Sequence, residues 1–155
     1  MIKRRFSIAH EDEELRELVN KTDHKILARW AIDCAEHVLP YFEEKYPNDP
    51  RPRIAIQTLR EWIDTGKFSM SVIRKASLDA HAAAREVIDD SPARSAARAA
   101  GQAVATAHVS SHAYGSAVYA QQAIHRASSP EDAEANAKSE HDWQYKHLLK
   151  LTERS

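Results

Sequence analysis

The sequence predicts an all-α fold, a compact single-domain bundle of six to seven helices around a central Ala-rich segment. Three observations carry this prediction. Residues 93–127 hold thirteen alanines, with Ser and Gly at six further positions, and Ala has the highest intrinsic helix propensity. Only 3 Gly and 3 Phe occur in 155 residues, a composition that does not suit a sheet. Apolar residues recur three and four apart through most of the remainder, the period of a helix with one buried face.

The elements follow in order. Residues 1–10 read as a short leading strand or an N-terminal arm ahead of the first helix. The stretch HEDEELRELVNK is a first helix, with acidic residues Glu11–Glu14 in the opening turn, where the helix dipole favours negative charge. Thr22 or Asp23 caps a longer helix to about Tyr46, with Leu27, Trp30, Ala31, Cys34, Ala35, Val38, Tyr41 and Phe42 inward and Pro40 expected to kink or interrupt it. Pro47, Pro50 and Pro52 mark a restricted connection. A third helix runs from about Pro52 to Thr65, with Gly66 at the left-handed position after its end. A fourth begins at Ser69 or Ser71 and ends near Ile88.

Ser91-Pro92 is an N-cap followed by proline in the first turn, a strong helix start. As one straight helix, residues 92–127 would extend ~54 Å at 1.5 Å per residue, longer than the domain, so a break is expected near Ser110-Ser111. Ser129-Pro130, with Asp132 three residues after the serine, reads as a capping-box-like opening to a last helix ending near Leu151.

Composition bounds the function. Hydrophobic residues at 43% and charged residues at 29% describe a globular protein with a proper core. The net charge of −1 supplies no overall attraction to nucleic acid or anionic membrane. No apolar run reaches the ~20 residues of a membrane span, and no apolar stretch follows the basic N-terminus as a secretory signal would require, so a cytoplasmic protein is expected. The single Cys34 excludes an internal disulfide and a Cys-based zinc site, and its neighbours Trp30 and Val38 make it a small buried hydrophobe. No Gly-rich phosphate loop and no nucleophile elbow occur, so no cofactor is expected.

One constellation invites chemistry. His108 and His112, four apart, would share a helix face with Ala97, Ala100, Gly101, Val104 and Gly115. With a third ligand from His81, His37 or Asp33 they could line an internal pocket for a ligand or metal, the basis of a small metal-dependent hydrolase as the alternative function. The plainer reading is a pair of core histidines satisfied by hydrogen bonds, because the Glu of an H-E-x-x-H motif is missing. Arg85, Arg94 and Arg98 could together bind an anion, but Glu86, Asp89 and Asp90 are at hand to pair with them. Ala96, Ala99, Ala103 and Val109 lie away from the histidines, so the central helix is apolar nearly all round. Burial within its own chain is expected, with a homodimer as the alternative.

Three blocks in order, HKILARWAIDCAEHVLPYFEEKYPNDPRPRIAIQTLREW, SLDAHAAARE and ARAAGQAVATAHVSSHAYGSAVYA, resemble the immunity-five-like family of bacterial immunity proteins from polymorphic toxin systems. The likeness covers about residues 22–125. It implies an all-helical, cytoplasmic protein without enzymatic activity that protects its producer by binding a cognate toxin. Exposed acidic residues suited to steering such a partner are Glu36, Glu43 and Glu44 on the second helix and Asp89 and Asp90 at a helix junction.

Overall fold

A computed structural model describes residues 2–7 and 12–154. Seven helices occur among them: α1 (Glu13–Asn20), α2 (His24–Glu43), α3 (Arg51–Thr65), α4 (Met70–Glu86), α5 (Pro92–Ala105), α6 (His112–Ala127) and α7 (Ala133–Glu153). The start expected for the first helix at His10 and Glu11 lies outside the described residues. Within them, the Asp12 carboxylate accepts from the Leu15 amide at 3.2 Å and caps α1. Residues 2–7 form an arm without regular secondary structure.

Local chemistry sets most helix ends where the sequence places them. Asp23 caps α2, Ser69 caps α4, and Ser91 caps α5 with Pro92 in the first turn. Gly66 ends α3 with φ 70°, a conformation that costs any other residue, and its N–H donates to the Trp62 carbonyl at 2.8 Å. Two ends differ from expectation. α2 continues through Pro40 to Glu43. Pro40 lies on the exposed side in the last turn, where water can satisfy the one carbonyl it leaves free. At Ser129 the serine hydroxyl donates to the Asp132 carboxylate at 3.0 Å instead of capping a helix, and α7 begins only at Ala133.

α5 lies at the centre, packed against α2, α3, α4 and α6. Nine of its residues, including Ala96, Ala97, Ala99, Ala100, Gly101 and Ala103, are buried. Small side chains allow the neighbouring helices close enough for side-chain hydroxyls to reach its backbone. Ser77 of α4 donates to the Gly101 carbonyl at 3.0 Å, and Ser116 of α6 donates to the Ala99 carbonyl at 3.0 Å and to Ala31 of α2 at 3.3 Å. The apolar circumference of α5 is therefore covered within one chain, and the motive for a dimer through Ala96, Ala99 and Ala103 disappears. Val109 instead sits exposed in the turn after α5. Large side chains fill the periphery: Trp30, Leu27, Leu39 and Phe42 of α2, Ile56 and Leu59 of α3, and Leu148 of α7 are all buried. Cys34 is fully buried, and burial pushes its thiol well above the ordinary range, with the Glu140 and Asp33 carboxylates adding to the shift. None of the helices is long and apolar enough to cross a membrane among the described residues.

Candidate functional site

The break between α5 and α6 falls at residues 106–111 and separates the two histidines expected on one helical face. A continuous helix would have placed both inward. The turn sends His108 out to solvent, where its ring stacks on Phe68 with centroids 6.3 Å apart. His112 opens α6, and its Nδ1 donates to the Gln102 side-chain oxygen at 2.8 Å.

His81 belongs with His112. It comes from α4 and lies over Gly101, so close that a Cβ on residue 101 would stand 2.7 Å from its Nε2. Arg98 donates to its Nδ1 at 2.8 Å, and since a guanidinium can only donate, that nitrogen must be unprotonated. Burial, reinforced by the Arg98 and Arg85 charges and by His112, lowers the His81 pKa to about 4. Burial also lowers that of His112, with His108 adding to the effect. These imidazoles stay neutral at physiological pH, as metal ligands must, but each is already held by a side chain of α5.

His37 and Asp33 are elsewhere. Both lie on α2 and face α7, where they meet residues that the sequence reading did not single out. Both Glu140 carboxylate oxygens accept from His37 Nδ1, at 2.8 and 2.9 Å, and His147 Nε2 donates to Asp33 at 2.6 Å. The Trp143 ring lies between the two imidazoles, 4.5 Å from His37 and 5.0 Å from His147, nearly parallel to the latter. Beneath them Gln144 is fully buried and fully used. Its amide nitrogen donates to the Ala117 carbonyl at 3.0 Å, its side-chain oxygen accepts from Gln121 at 2.9 Å, and its backbone carbonyl accepts from Trp30 Nε1 at 2.9 Å. Burial raises the Glu140 pKa, opposed by the His37 and Gln144 hydrogen bonds. The signal for this seam was present as Glu140, Trp143, Gln144 and His147, spaced three, one and three along one stripe of α7.

The five predicted pocket residues thus divide between the surroundings of α4 and α5 (His81, His108 and His112) and the α2–α7 seam (His37 and Asp33), and among the described residues no group of three or more His, Cys, Asp or Glu converges as a metal site. The acidic candidates divide as well. Glu36 and Glu43 are held by arginines of α3: Arg60 reaches Glu36 at 2.8 Å and Arg53 reaches Glu43 at 2.7 Å, a bond that raises the Arg53 pKa. Asp90 is engaged by Arg94 at 2.8 Å, as the sequence suggested. Glu44 and Asp89 are exposed.

One surface stands apart from these pairs. Along the first half of α4, Leu78 exposes 58% of its area and borders a shallow groove with Met70, Ile73 and His108, and Phe68, 47% exposed just before the helix, stacks on the His108 ring beside it. Val109, 40% exposed, adjoins it in the 106–111 turn. The rim carries Arg74 and the Lys75–Asp79 pair, 2.7 Å apart.

No curated protein and no solved structure matches the chain. The profile of one family does match, over residues 17–151 and so across α2 to α6, the second half of α1 and nearly all of α7, and the chain belongs to that family, described as Imm-5 like putative immunity protein.

Proposed function

We propose that this protein binds a cognate toxin protein and blocks it without catalysis of its own, in the cytoplasm of the cell that makes both. Family membership supplies the class of partner. The observation that carries binding to a protein surface is the apolar face at the start of α4. Large apolar side chains held exposed at Leu78 on α4 and at Phe68 just before it cost solubility and do nothing for this core, and a patch of that kind with a polar rim marks a protein contact. Phe68 and Leu78 serve as anchors, and the charged rim sets orientation. Glu44 and Asp89, free of the arginine pairs that occupy Glu36 and Glu43, are the acidic positions best placed to steer the encounter.

Co-expression with the toxin domain encoded beside this gene tests the reading. Cells should survive, and the two proteins should co-purify as a stable complex. Leu78→Asp should weaken the complex by about thirty-fold or more, since a buried anchor at an interface is worth ~2 kcal/mol. Cell death despite full expression of the folded protein would overturn the proposal. A complex unchanged by Leu78→Asp and Phe68→Ser would move the contact away from α4.

A further inference from the structure

A second surface combines charges that the fold does not balance. The N-terminal arm crosses the end of α6, where Lys3 Nζ donates to the His125 carbonyl at 3.0 Å, which also accepts from the Ser128 N–H, and to the Arg126 carbonyl at 2.9 Å, placing a cation at the negative end of the helix. Phe6 packs edge-on against the buried His125 ring at 5.5 Å. These contacts fix the arm and set Lys3, Arg4 and Arg5 along a groove of about 320 Å³ whose other walls include Asp90, Gln122 and Arg126.

Four cations border this groove, and the one carboxylate within it is already taken. Asp90 lies 2.8 Å from Arg94 and only within 3.7 Å of Arg126. Arg126 donates to Ser95 at 3.0 Å, and Ser95 donates to the Gln122 side-chain oxygen at 2.9 Å. That chain holds both side chains in place and leaves the Gln122 amide N–H groups without a protein partner among the described residues. Burial lowers the Arg126 pKa, opposed by the Asp90 charge, and Arg94 and Arg5 repel the guanidinium further. Arg4 and Arg5 form no ion pair among the described residues. On the far side of the arm Glu134 accepts from His125 at 3.3 Å and Asp12 contacts His141, so the other acids near Arg4 and Arg5 are held outside this groove. A chain with net charge −1 thus gathers four cations against one carboxylate, a local excess of about three positive charges, around one small concavity.

We propose that this groove binds a small multiply charged phosphate anion of the diphosphate class. A single carboxylate would leave most of the excess unbalanced, whereas a diphosphate carries enough charge and enough acceptor oxygens for the Arg5 and Arg126 forks, Arg4 and the Gln122 amide together. The site is independent of the toxin reading, and its test needs no partner protein.

The experiment is titration calorimetry of the full chain with pyrophosphate at low salt. One saturable site is expected, weakened by added sodium chloride. Arg5→Gln, which removes an exposed side chain with no protein partner among the described residues, should weaken it about ten-fold, the worth of one charge-assisted hydrogen bond. Arg29→Gln, an exposed cation on α2 outside the groove, should leave it unchanged. Arg126→Ala should abolish binding, and if it fails to fold, Arg4→Gln takes its place with a smaller loss. Absence of saturable binding would overturn the proposal, as would equal weakening by Arg5→Gln and Arg29→Gln, which would mark diffuse charge. A short single-stranded oligonucleotide binding more tightly than pyrophosphate, through the same residues, would replace the proposed ligand by a nucleic-acid backbone.

Discussion

The two sides of the bundle are held together by opposite means. At α5 against α4 and α6, the buried middle of the interface is built from alanine, glycine and serine, and there the Ser77 and Ser116 hydroxyls donate to the α5 backbone, while side-chain pairs such as Arg98–His81 and His112–Gln102 lie at its edges. At α7 against α2 and α6, it is built from large polar and aromatic side chains that bond chiefly to one another. The first interface depends on what is missing, the side-chain volume that would push helices apart. The second depends on every donor and acceptor finding its partner in a dry place. They should therefore fail differently, one to added volume and the other to removed atoms.

The largest effect is expected from added volume. Ala100 is fully buried on α5, next to Gly101 and among helices that already touch its backbone. Ala100→Leu inserts a branched side chain where no neighbour has a small residue to give up, and should cost about 3 kcal/mol. Urea denaturation reads this directly. A loss below 1 kcal/mol would mean that the helices around α5 can slide apart, and the close-packed account of this side would be wrong.

Removing atoms from the seam comes next. Gln144→Ala strips partners from Gln121 and from the Ala117 carbonyl in one step, both in buried surroundings, and should cost about 2 kcal/mol. Gln144→Leu keeps the volume and should cost about as much. If leucine restored wild-type stability, the seam would be a packing interface after all, and the comparison would collapse.

Acid should separate the two sides in sign. His81 has a folded pKa of about 4 against an ordinary 6.5, so it favours the native state above pH 6.5 and this contribution is lost as pH falls from 6.5 to about 4. Allowing for its partial exposure, the loss is on the order of 2 kcal/mol. Glu140 works the other way. Its folded pKa is raised above 4.5, so its contribution is present at acid pH and is lost as pH rises through the raised value. Measuring stability from pH 7.5 down to 4, His81→Gln should flatten the acid loss and Glu140→Gln should deepen it. Parallel curves for both variants and wild type would show that neither group titrates differently on folding.

This contrast also explains what could be read in advance. The close-packed side is written locally: the alanine run, Ser91-Pro92, Gly66 and the period of α2 and α3 each act within a few residues, and all appear where expected. The break before α6 followed from length alone, and no residue at 106–111 announced which way His108 would turn. The seam is hidden because its bonds join residues over a hundred positions apart, such as His37 to Glu140 and Asp33 to His147. A polar stripe on α7 reads as a solvated face until α2 is known to lie against it. The same distance problem divided the expected histidine pocket between two places.

The smallest effect sharpens the comparison by marking what belongs to neither side. Glu36 bonds Arg60 at 2.8 Å and lies 3.6 Å from Arg53, with both arginines and the carboxylate about a third or more exposed. Water and salt screen such a pair, and holding two long side chains in register costs entropy, so Glu36→Gln should change stability by about 0.5 kcal/mol or less. Glu44→Gln, on a residue with no such pair, should change it even less. That near-silence makes these positions useful. A variant that leaves urea denaturation untouched but slows association with a toxin domain at low salt must act on the encounter itself, because the fold has not moved. Slower association from Glu44→Gln but not from Glu36→Gln would assign the steering charge to the unpaired residue. Equal slowing by both would mean that the Arg53–Arg60 row releases its carboxylates on binding and takes part in the interface.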